Sequence, residues 1–290
     1  MPEPLEIELL DLMHLGRESV LAGYLLRTAH GLILVDCGPS ACLERLEGEL
    51  SARGVGIVDL DWLMITHVHL DHCGAAGQLV ARNRSLKVCV SAIGAPHLVD
   101  PSRLERSARR LFGERFDLLA GEMAPVPSGS ITLAEGTVAG LECFPTPGHA
   151  KHHVSFIAAD RTCFPGDVVG MRLPPSLYVA PGTPPPDIDL DAYATSLTAI
   201  SARSPSRLCL PHFGVVTDPS EHIELMSSAL ERWSGWVRDG VGEQEFIRRG
   251  QAELACFEPE VIEAIEVNTP FSSSYAGLAR CWAKARSVIS

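Results

Sequence analysis

The stretch Thr66-His67-Val68-His69-Leu70-Asp71-His72 packs three imidazoles and a carboxylate into positions 67–72, directly after an apolar run. Imidazole nitrogens and carboxylate oxygens suit zinc, and also iron or manganese. If residues 67–69 stay extended, the period-two alternation of a strand sends His67 and His69 the same way, so that they can share one metal. Asp71 and His72 then fall in the turn and can face a second. Four ligands do not complete a metal centre. His149 follows Pro147-Gly148 after a short apolar run at 141–144, Asp167 follows Gly166 after 162–164, and His212 follows Pro211 after 208–210. A single histidine so placed reads as a cap or a surface residue. Three metal-binding residue types, each just past an apolar strand, read jointly as a site collected at strand ends.

The elements that must position these residues begin with strands at 5–13, 20–27 and 32–35. A helix at 41–53 follows, with Leu43, Leu46 and Leu50 on one side and Gly54 ending it, and then a strand at 62–66, a β-α-β order. Residues 74–82 read as helix, 87–91 as strand and 101–120 as a helical region. Short strands at 141–144, 154–158 and 162–164, separated by turn residues, predict hairpins of a second sheet. Residues 173–186 hold six prolines, which rules out regular helix and predicts an ordered, extended loop. Helix resumes at 189–202 and a strand at 208–210 ends at His212. Beyond Pro219 helices are expected at 221–237, 243–255, 259–267 and 275–288. No internal repeat is present.

With 290 residues, 46% of them hydrophobic, the chain can bury a substantial core. Its formal net charge of -12 argues against capture of nucleic acid, which draws on clustered Lys and Arg. The arginine-rich stretch 103–115 also carries Glu105 and Glu114 and reads as a solvated helix face. Residues 1–10 lack the basic-then-apolar order of a secretory signal, and no apolar run approaches the roughly 20 residues that span a bilayer. The nine cysteines are scattered through apolar segments and read as reduced core residues of a cytoplasmic protein.

His-x-His-x-Asp-His at 67–72, Thr-Pro-Gly-His at 146–149, Gly-Asp at 166–167 and Pro-His at 211–212 together resemble the metallo-β-lactamase superfamily. Val-Asp-Cys-Gly at 35–38 is similar to that family too. The resemblance runs from residue 5 to 217. It implies an α+β fold, a four-layer αββα sandwich over residues 1–219, with 220–290 as a C-terminal helical extension packed on it. It also implies two divalent metal ions, zinc first among them. His67, His69 and His149 would hold the first, Asp71, His72 and His212 the second, and Asp167 would bridge them.

By the same resemblance the paired metals would share a water, lower its pKa from about 15.7 to about 7 and supply a hydroxide nucleophile. Asp71 would orient it and pass a proton to the leaving group. Cys73 is expected to be a buried thiol outside a ligand set that is complete without it. One of His152 and His153, which follow His149 closely, is expected to hydrogen-bond a metal ligand from behind or to line the substrate pocket; His153, Tyr178 and Phe213 are the candidate substrate contacts, with Tyr193 a further candidate pocket wall. Glyoxalase II carries a Gly-Cys-Gly-Arg-Phe-Phe run that is absent here, and acyl-homoserine lactonases place a Tyr shortly after the bridging Asp, where this chain has Val168 and Val169. What remains is cleavage of an ester, thioester or lactone of a small molecule. A mononuclear iron sulfur dioxygenase of the same fold, or a β-lactam hydrolase, are the alternatives. The loop 173–186 and the helical tail are expected to cap the pocket, and the tail could equally pair two chains as a homodimer.

Overall fold

The computed structural model describes residues 5–289. Twelve strands form two six-stranded sheets. The first runs in the order β1 (Glu6–Asp11), β2 (Ala22–Thr28), β3 (Gly31–Val35), with a helix α1 (Leu43–Ala52) leading to β4 (Trp62–Met64). The short helix α2 (Leu70–Cys73) and α3 (Ala76–Arg82) lead to β5 (Lys87–Val90), and α4 (Ala95–Val99), α5 (Ser102–Phe112) and α6 (Phe116–Leu119) lead to β6 (Ile131–Leu133). β1 to β3 are antiparallel, and β3 to β6 are parallel, as the intervening helices require.

The second sheet holds β7 (Gly136–Val138), β8 (Leu141–Pro145), β9 (Val154–Ile157) and β10 (Thr162–Phe164). After α7 (Leu190–Ala202) it is completed by β11 (Arg207–Leu210) and β12 (Gly214–Val216). The tail is helical: α8 (Pro219–Arg238), α9 (Glu243–Leu254), α10 (Pro259–Asn268) and α11 (Phe271–Ile289).

Side-chain alternation along the strands generates the layers. Tyr24, Leu26, Ile33, Met64 and Cys89 of the first sheet meet Phe156, Phe164 and Cys209 of the second in a core between the sheets. Their neighbours Leu25, Leu34, Leu63 and Val88 point outward onto Leu46, Leu50, Leu79 and Phe116 of the first helical layer. Ile157, Cys163, Leu208 and Leu210 point outward onto Tyr193, Leu197, Trp233 and Phe246 of the second. The chain is thus a four-layer αββα sandwich, an α+β fold with a C-terminal helical region.

Several boundaries differ from the sequence expectation. The helical region 101–120 is cut at Gly113, whose φ of 55° leaves the right-handed helix. α7 begins at Leu190 because Asp189 caps it, its carboxylate accepting the Ala192 N–H at 3.0 Å. β12 was not expected at all: it is three residues long and defined only by its pairing with β11. Loop 173–186 is irregular, and an antiparallel bridge ties Ala180 within it to Met171 before it.

Candidate metal centre

Chain direction explains how the seven residues converge. β8 and β9 are antiparallel, as are β9 and β10, while β10 and β11 are parallel, so β8, β10 and β11 all end at the same edge. Those ends carry His149, Asp167 and His212. The end of β4 reaches the same edge: the Val154 N–H at the start of β9 donates to the Thr66 carbonyl at 2.8 Å, stitching the two sheets together beside His67. Residues 67–69 are extended, and Asp71 and His72 lie in the single turn of α2.

Asp167 is central. Its Oδ2 lies 3.3 Å from His212 Nε2, 3.4 Å from His72 Nε2, 3.6 Å from His149 Nε2 and 3.8 Å from His67 Nε2. His69 Nδ1 stands 3.0 Å from His67 Nε2 and 2.9 Å from His149 Nε2. Asp71 Oδ2 is 3.6 Å from His72 Nε2 and 3.5 Å from His212 Nε2. Three overlapping donor groups result: His67, His69 and His149; His67, His72 and Asp167; and Asp71, His72 and His212. His69 and Asp71 are half-buried and the other five are buried, so the cluster opens to solvent on the His69 and Asp71 side.

The nitrogens facing the centre are prepared as lone pairs by what the opposite nitrogens do. His149 Nδ1–H donates to the Gly182 carbonyl at 2.8 Å, and the Tyr193 hydroxyl donates to the same oxygen at 2.5 Å. His72 Nδ1–H donates to Asp36 Oδ2 at 3.0 Å. The Thr66 hydroxyl donates to that same Oδ2 at 2.7 Å, which leaves its oxygen to accept from His67 Nδ1 at 3.1 Å. With their protons outward, His67, His72 and His149 aim bare Nε2 atoms inward. The contacts of His69 Nδ1 with two such nitrogens cannot both be hydrogen bonds, because His69 Nδ1 has at most one proton to give. His72 Nε2, Asp167 Oδ1 and His212 Nδ1 are buried without a hydrogen-bond partner. Such crowding of lone pairs is costly unless cations share it, and this donor set fits divalent metal ions.

Electrostatics divides the imidazoles into two sets. Burial, reinforced by the neighbouring imidazoles, holds His67 and His69 well below the usual histidine range, and burial lowers His149 as well. Burial also acts to lower His72 and His212, but the carboxylates of Asp167 and Asp71 outweigh it and raise both. Burial would raise Asp167, and the facing His72 and His212 reverse that and hold it well below the usual carboxylate range. Asp167 thus keeps its negative charge at the middle of the cluster, and a cation bound there would take the place of the protons that the carboxylates draw onto His72 and His212.

Two of the candidate substrate contacts have other partners in the fold. His153 is 1% exposed and points away from the opening. Its Nε2 accepts the Asp167 backbone N–H at 3.1 Å, and its Nδ1–H donates to the Thr146 hydroxyl at 2.9 Å. That hydroxyl meets Ser155 Oγ at 2.8 Å, which in turn donates to the Pro165 carbonyl at 3.0 Å. His153 therefore fixes the turn that presents Asp167. Tyr178 lies in the outer apolar cluster, its hydroxyl donating to Glu253 at 3.2 Å and its ring against Phe257. Phe213, beside His212, is half-buried against the core between the sheets. His152 accepts the Val68 N–H at 3.2 Å, and burial lowers it to about 4. Cys73 is a buried thiol, raised well above the usual thiol range by burial, and belongs to none of the donor groups.

Sequence reasoning gave no role to Asp36, Thr66 or Gly166. Asp36 is 3% exposed, in the left-handed region at φ 51°, and accepts three hydrogen bonds from the cluster's support: Thr66 N–H, Thr66 hydroxyl and His72. Its signals were its place in the Val-Asp-Cys-Gly run and a charge just past a buried strand, two positions before Gly38. Gly166 has φ 61°, and a Cβ there would lie 2.4 Å from His153 Nε2.

Comparison with known proteins places this architecture. The chain is 29% identical over 183 residues to the metallo-beta-lactamase fold-containing protein ST1585 of Sulfurisphaera tokodaii, covering 59% of this chain and 68% of that one. Its fold matches the crystal structure of ST1585 with a TM-score of 0.64 at 21% identity, covering 94% and 97% of the two chains. It matches the metallo-beta-lactamase family protein TTHA1429 of Thermus thermophilus with a TM-score of 0.68 at 20% identity, covering 97% and 93%. TTHA1623, solved in a di-iron-bound form, matches with a TM-score of 0.54 at 24% identity over 72% of this chain and 93% of that one. The family model described as the metallo-beta-lactamase superfamily matches residues 22–212, more than half of the chain and all seven clustered residues. The chain belongs to the metallo-β-lactamase superfamily.

Proposed function

We propose that the protein is a hydrolase that cleaves an ester, thioester or lactone of a small molecule at a centre of two divalent metal ions. Zinc, iron and manganese all suit the donors. His67, His69 and His149 would hold one ion, Asp71, His72 and His212 the other, and Asp167 both. The observation that carries this reading is the position of Asp167 Oδ2, within 3.8 Å of four inward-facing Nε2 atoms drawn from both halves of the cluster. The di-iron form of TTHA1623 supports the count of two. Bound divalent ions supply Lewis acidity and a water acidic enough to furnish a nucleophile near neutral pH, with no serine or cysteine needed.

The chain's own residues do the rest. Asp71 is the carboxylate nearest the opening, its side chain 39% exposed. Its Oδ2 faces His72 and His212, which leaves Oδ1 to take a proton from the attacking water and return it to the leaving group. Asp36, His153 and the Gly182 carbonyl hold the donors in place, so the geometry is set before substrate arrives. Seven of the nine cysteines are buried thiols, which suits a reducing compartment such as the cytoplasm. Among the described residues no helix is long and apolar enough to cross a membrane.

The test is metal content of the purified protein, followed on the same sample by a screen of esters, thioesters, lactones and β-lactams. Two metals per chain and turnover of an ester-class substrate are expected, with Asp71→Asn losing turnover while keeping at least one metal. One iron per chain with consumption of oxygen and a persulfide would overturn the reading in favour of a dioxygenase.

A further inference from the structure

A cavity of about 410 Å³ lies between the β1–β2 loop, the start of α1 and the α5–α6 turn, a volume that holds a small organic molecule. Its lining holds three guanidinium groups, Arg17, Arg45 and Arg115, beside His14, with Met13 and Leu118 among the apolar groups. Arg115 has no carboxylate partner among the described residues, and Leu118 is 61% exposed. Arg17 pairs with Glu263, an exposed pair that a bound anion can displace at little cost. Arg45 pairs with Glu49 and donates through Nε to the Asp11 carbonyl at 3.1 Å. The Asp11 carboxylate is occupied by the loop itself, accepting the N–H groups of Met13 at 2.9 Å and Ser19 at 3.0 Å.

The loop is held in an unusual shape. Met13, Leu15 and Ser19 all have positive φ (43°, 59° and 59°), and His14 Nε2 is pinned to the Leu119 carbonyl at 2.8 Å. Non-glycine residues in the left-handed region cluster where function fixes a backbone. The cavity also backs onto the metal centre. Its wall residues Leu12 and Cys42 pack on the turn at Gly38, and the adjacent Cys37 N–H donates to the His72 carbonyl at 2.9 Å. Burial and then the charges of Asp11 and Asp71 push the Cys42 thiol up to about 12, so it lines the cavity as an inert group.

We infer that this cavity receives the anionic end of the substrate, a carboxylate or phosphate monoester carried on a short apolar stem, while the scissile bond lies at the opening beside Asp71. Guanidinium forks suit both anions, and Met13 and Leu118 would cover the stem. The word substrate rests on the hydrolase reading; the binding of an anion does not.

The experiment therefore has two arms on the full metal-loaded chain. In the first, glutarate and propyl phosphate are titrated calorimetrically. Saturable binding of one or both is expected, weakened tenfold or more in Arg115→Gln and in Arg45→Gln, and unchanged in Arg84→Gln, an exposed arginine outside the cavity. Tighter glutarate names a carboxylate, tighter propyl phosphate a phosphate. Failure of both anions to bind overturns the inference. So does binding that survives Arg115→Gln but vanishes on chelation of the metals, or weakens equally in Arg84→Gln. The second arm is the ratio of kcat/KM for a glutaryl thioester to that for a pentanoyl thioester, which should fall at least tenfold in Arg115→Gln. A ratio unchanged within twofold overturns the substrate assignment. Absence of turnover with anion binding intact rejects the hydrolase reading alone.

Discussion

Asp36→Asn is the sharpest test of how the centre is held. The carboxylate accepts Thr66 N–H at 2.9 Å on Oδ1, and the Thr66 hydroxyl at 2.7 Å and His72 Nδ1–H at 3.0 Å on Oδ2. An amide offers one acceptor oxygen where the carboxylate has two. If the Asn oxygen faces His72, its NH2 confronts the Thr66 N–H and leaves a buried donor unpaired, at about 1–3 kcal/mol. If it faces Thr66, the NH2 confronts His72 Nδ1–H, and the imidazole must flip its tautomer and lose the inward lone pair. In either orientation His72 loses an anionic partner, and loss of such a partner weakens metal binding by about 10–100-fold. Metal affinity is read by competition with a chromophoric chelator, and stability of the metal-free protein by urea unfolding. We expect both to fall, with loss of metal from the Asp71, His72 and His212 group first. Wild-type affinity within twofold and unchanged unfolding would refute the argument that Asp36 sets the His72 tautomer.

Two further outcomes follow from the same geometry. Gly166→Ala puts a methyl 2.4 Å from His153 Nε2 and 3.0 Å from Thr66 Cβ at a position with φ 61°, which should cost about 1–3 kcal/mol through overpacking and shift Asp167 enough to weaken metal binding; a variant matching wild type in both urea unfolding and metal titration would show that the turn yields freely. His222, on α8, is buried and lowered by burial from 6.5 to about 4, its Nε2–H donating to the Val169 carbonyl at 2.9 Å. Because its folded value is depressed, the unfolded chain takes up the proton first as pH falls, so stability is present above about pH 6.5 and is lost toward pH 4. His222→Gln keeps a donor and removes the titration. Between pH 7 and 5 in the presence of chelator, wild type should lose about 2 kcal/mol more than the variant by urea unfolding, and equal losses would count against His222 as the source.

The donor residues were legible because the fold delivers them at strand ends, and an apolar run followed by glycine or proline and then a ligand is visible locally. The layers were legible for the same kind of reason: Leu25 between Tyr24 and Leu26 already states which face is which. The supports were not. Asp36 is one of 36 acidic residues, and its partners lie 30 and 36 positions away. The relay from His153 through Thr146 and Ser155 to Pro165 joins two strands by side chains of ordinary type. Read as sequence, the two histidines following His149 left a support behind a ligand and a substrate contact both open; in the fold, His153 supports the turn of Asp167. β12 and the break at Gly113 depend on pairing and on a backbone angle that no periodicity encodes.

The tail poses the reverse case, helices plain in the sequence whose purpose is visible only in the fold. Residues 220–290 were expected to cap a pocket; in the fold, α8 and α11 grip from behind the segment that follows Asp167 and the one whose carbonyl fixes His149. His222 holds the Val169 carbonyl, and a Cβ at Gly170 would meet the Ala180 carbonyl oxygen at 2.6 Å and Met226 Sδ at 2.7 Å. The Thr183 hydroxyl donates to the Ser274 carbonyl at 3.3 Å, and Gly277 of α11 approaches the Thr183 carbonyl so closely that a Cβ there would stand 2.0 Å from it. Thr183 is the neighbour of Gly182, whose carbonyl fixes His149. Trp233, Phe246 and Leu278 of the tail share one apolar cluster with Leu208 and Leu210 of β11. Removing the tail would therefore strip one face of the second sheet and loosen both the turn of Asp167 and the loop that holds His149, so a truncated chain that lost activity would report on the centre's supports before it reported on specificity. Specificity is better sought at the open side, where His69 and Asp71 meet solvent.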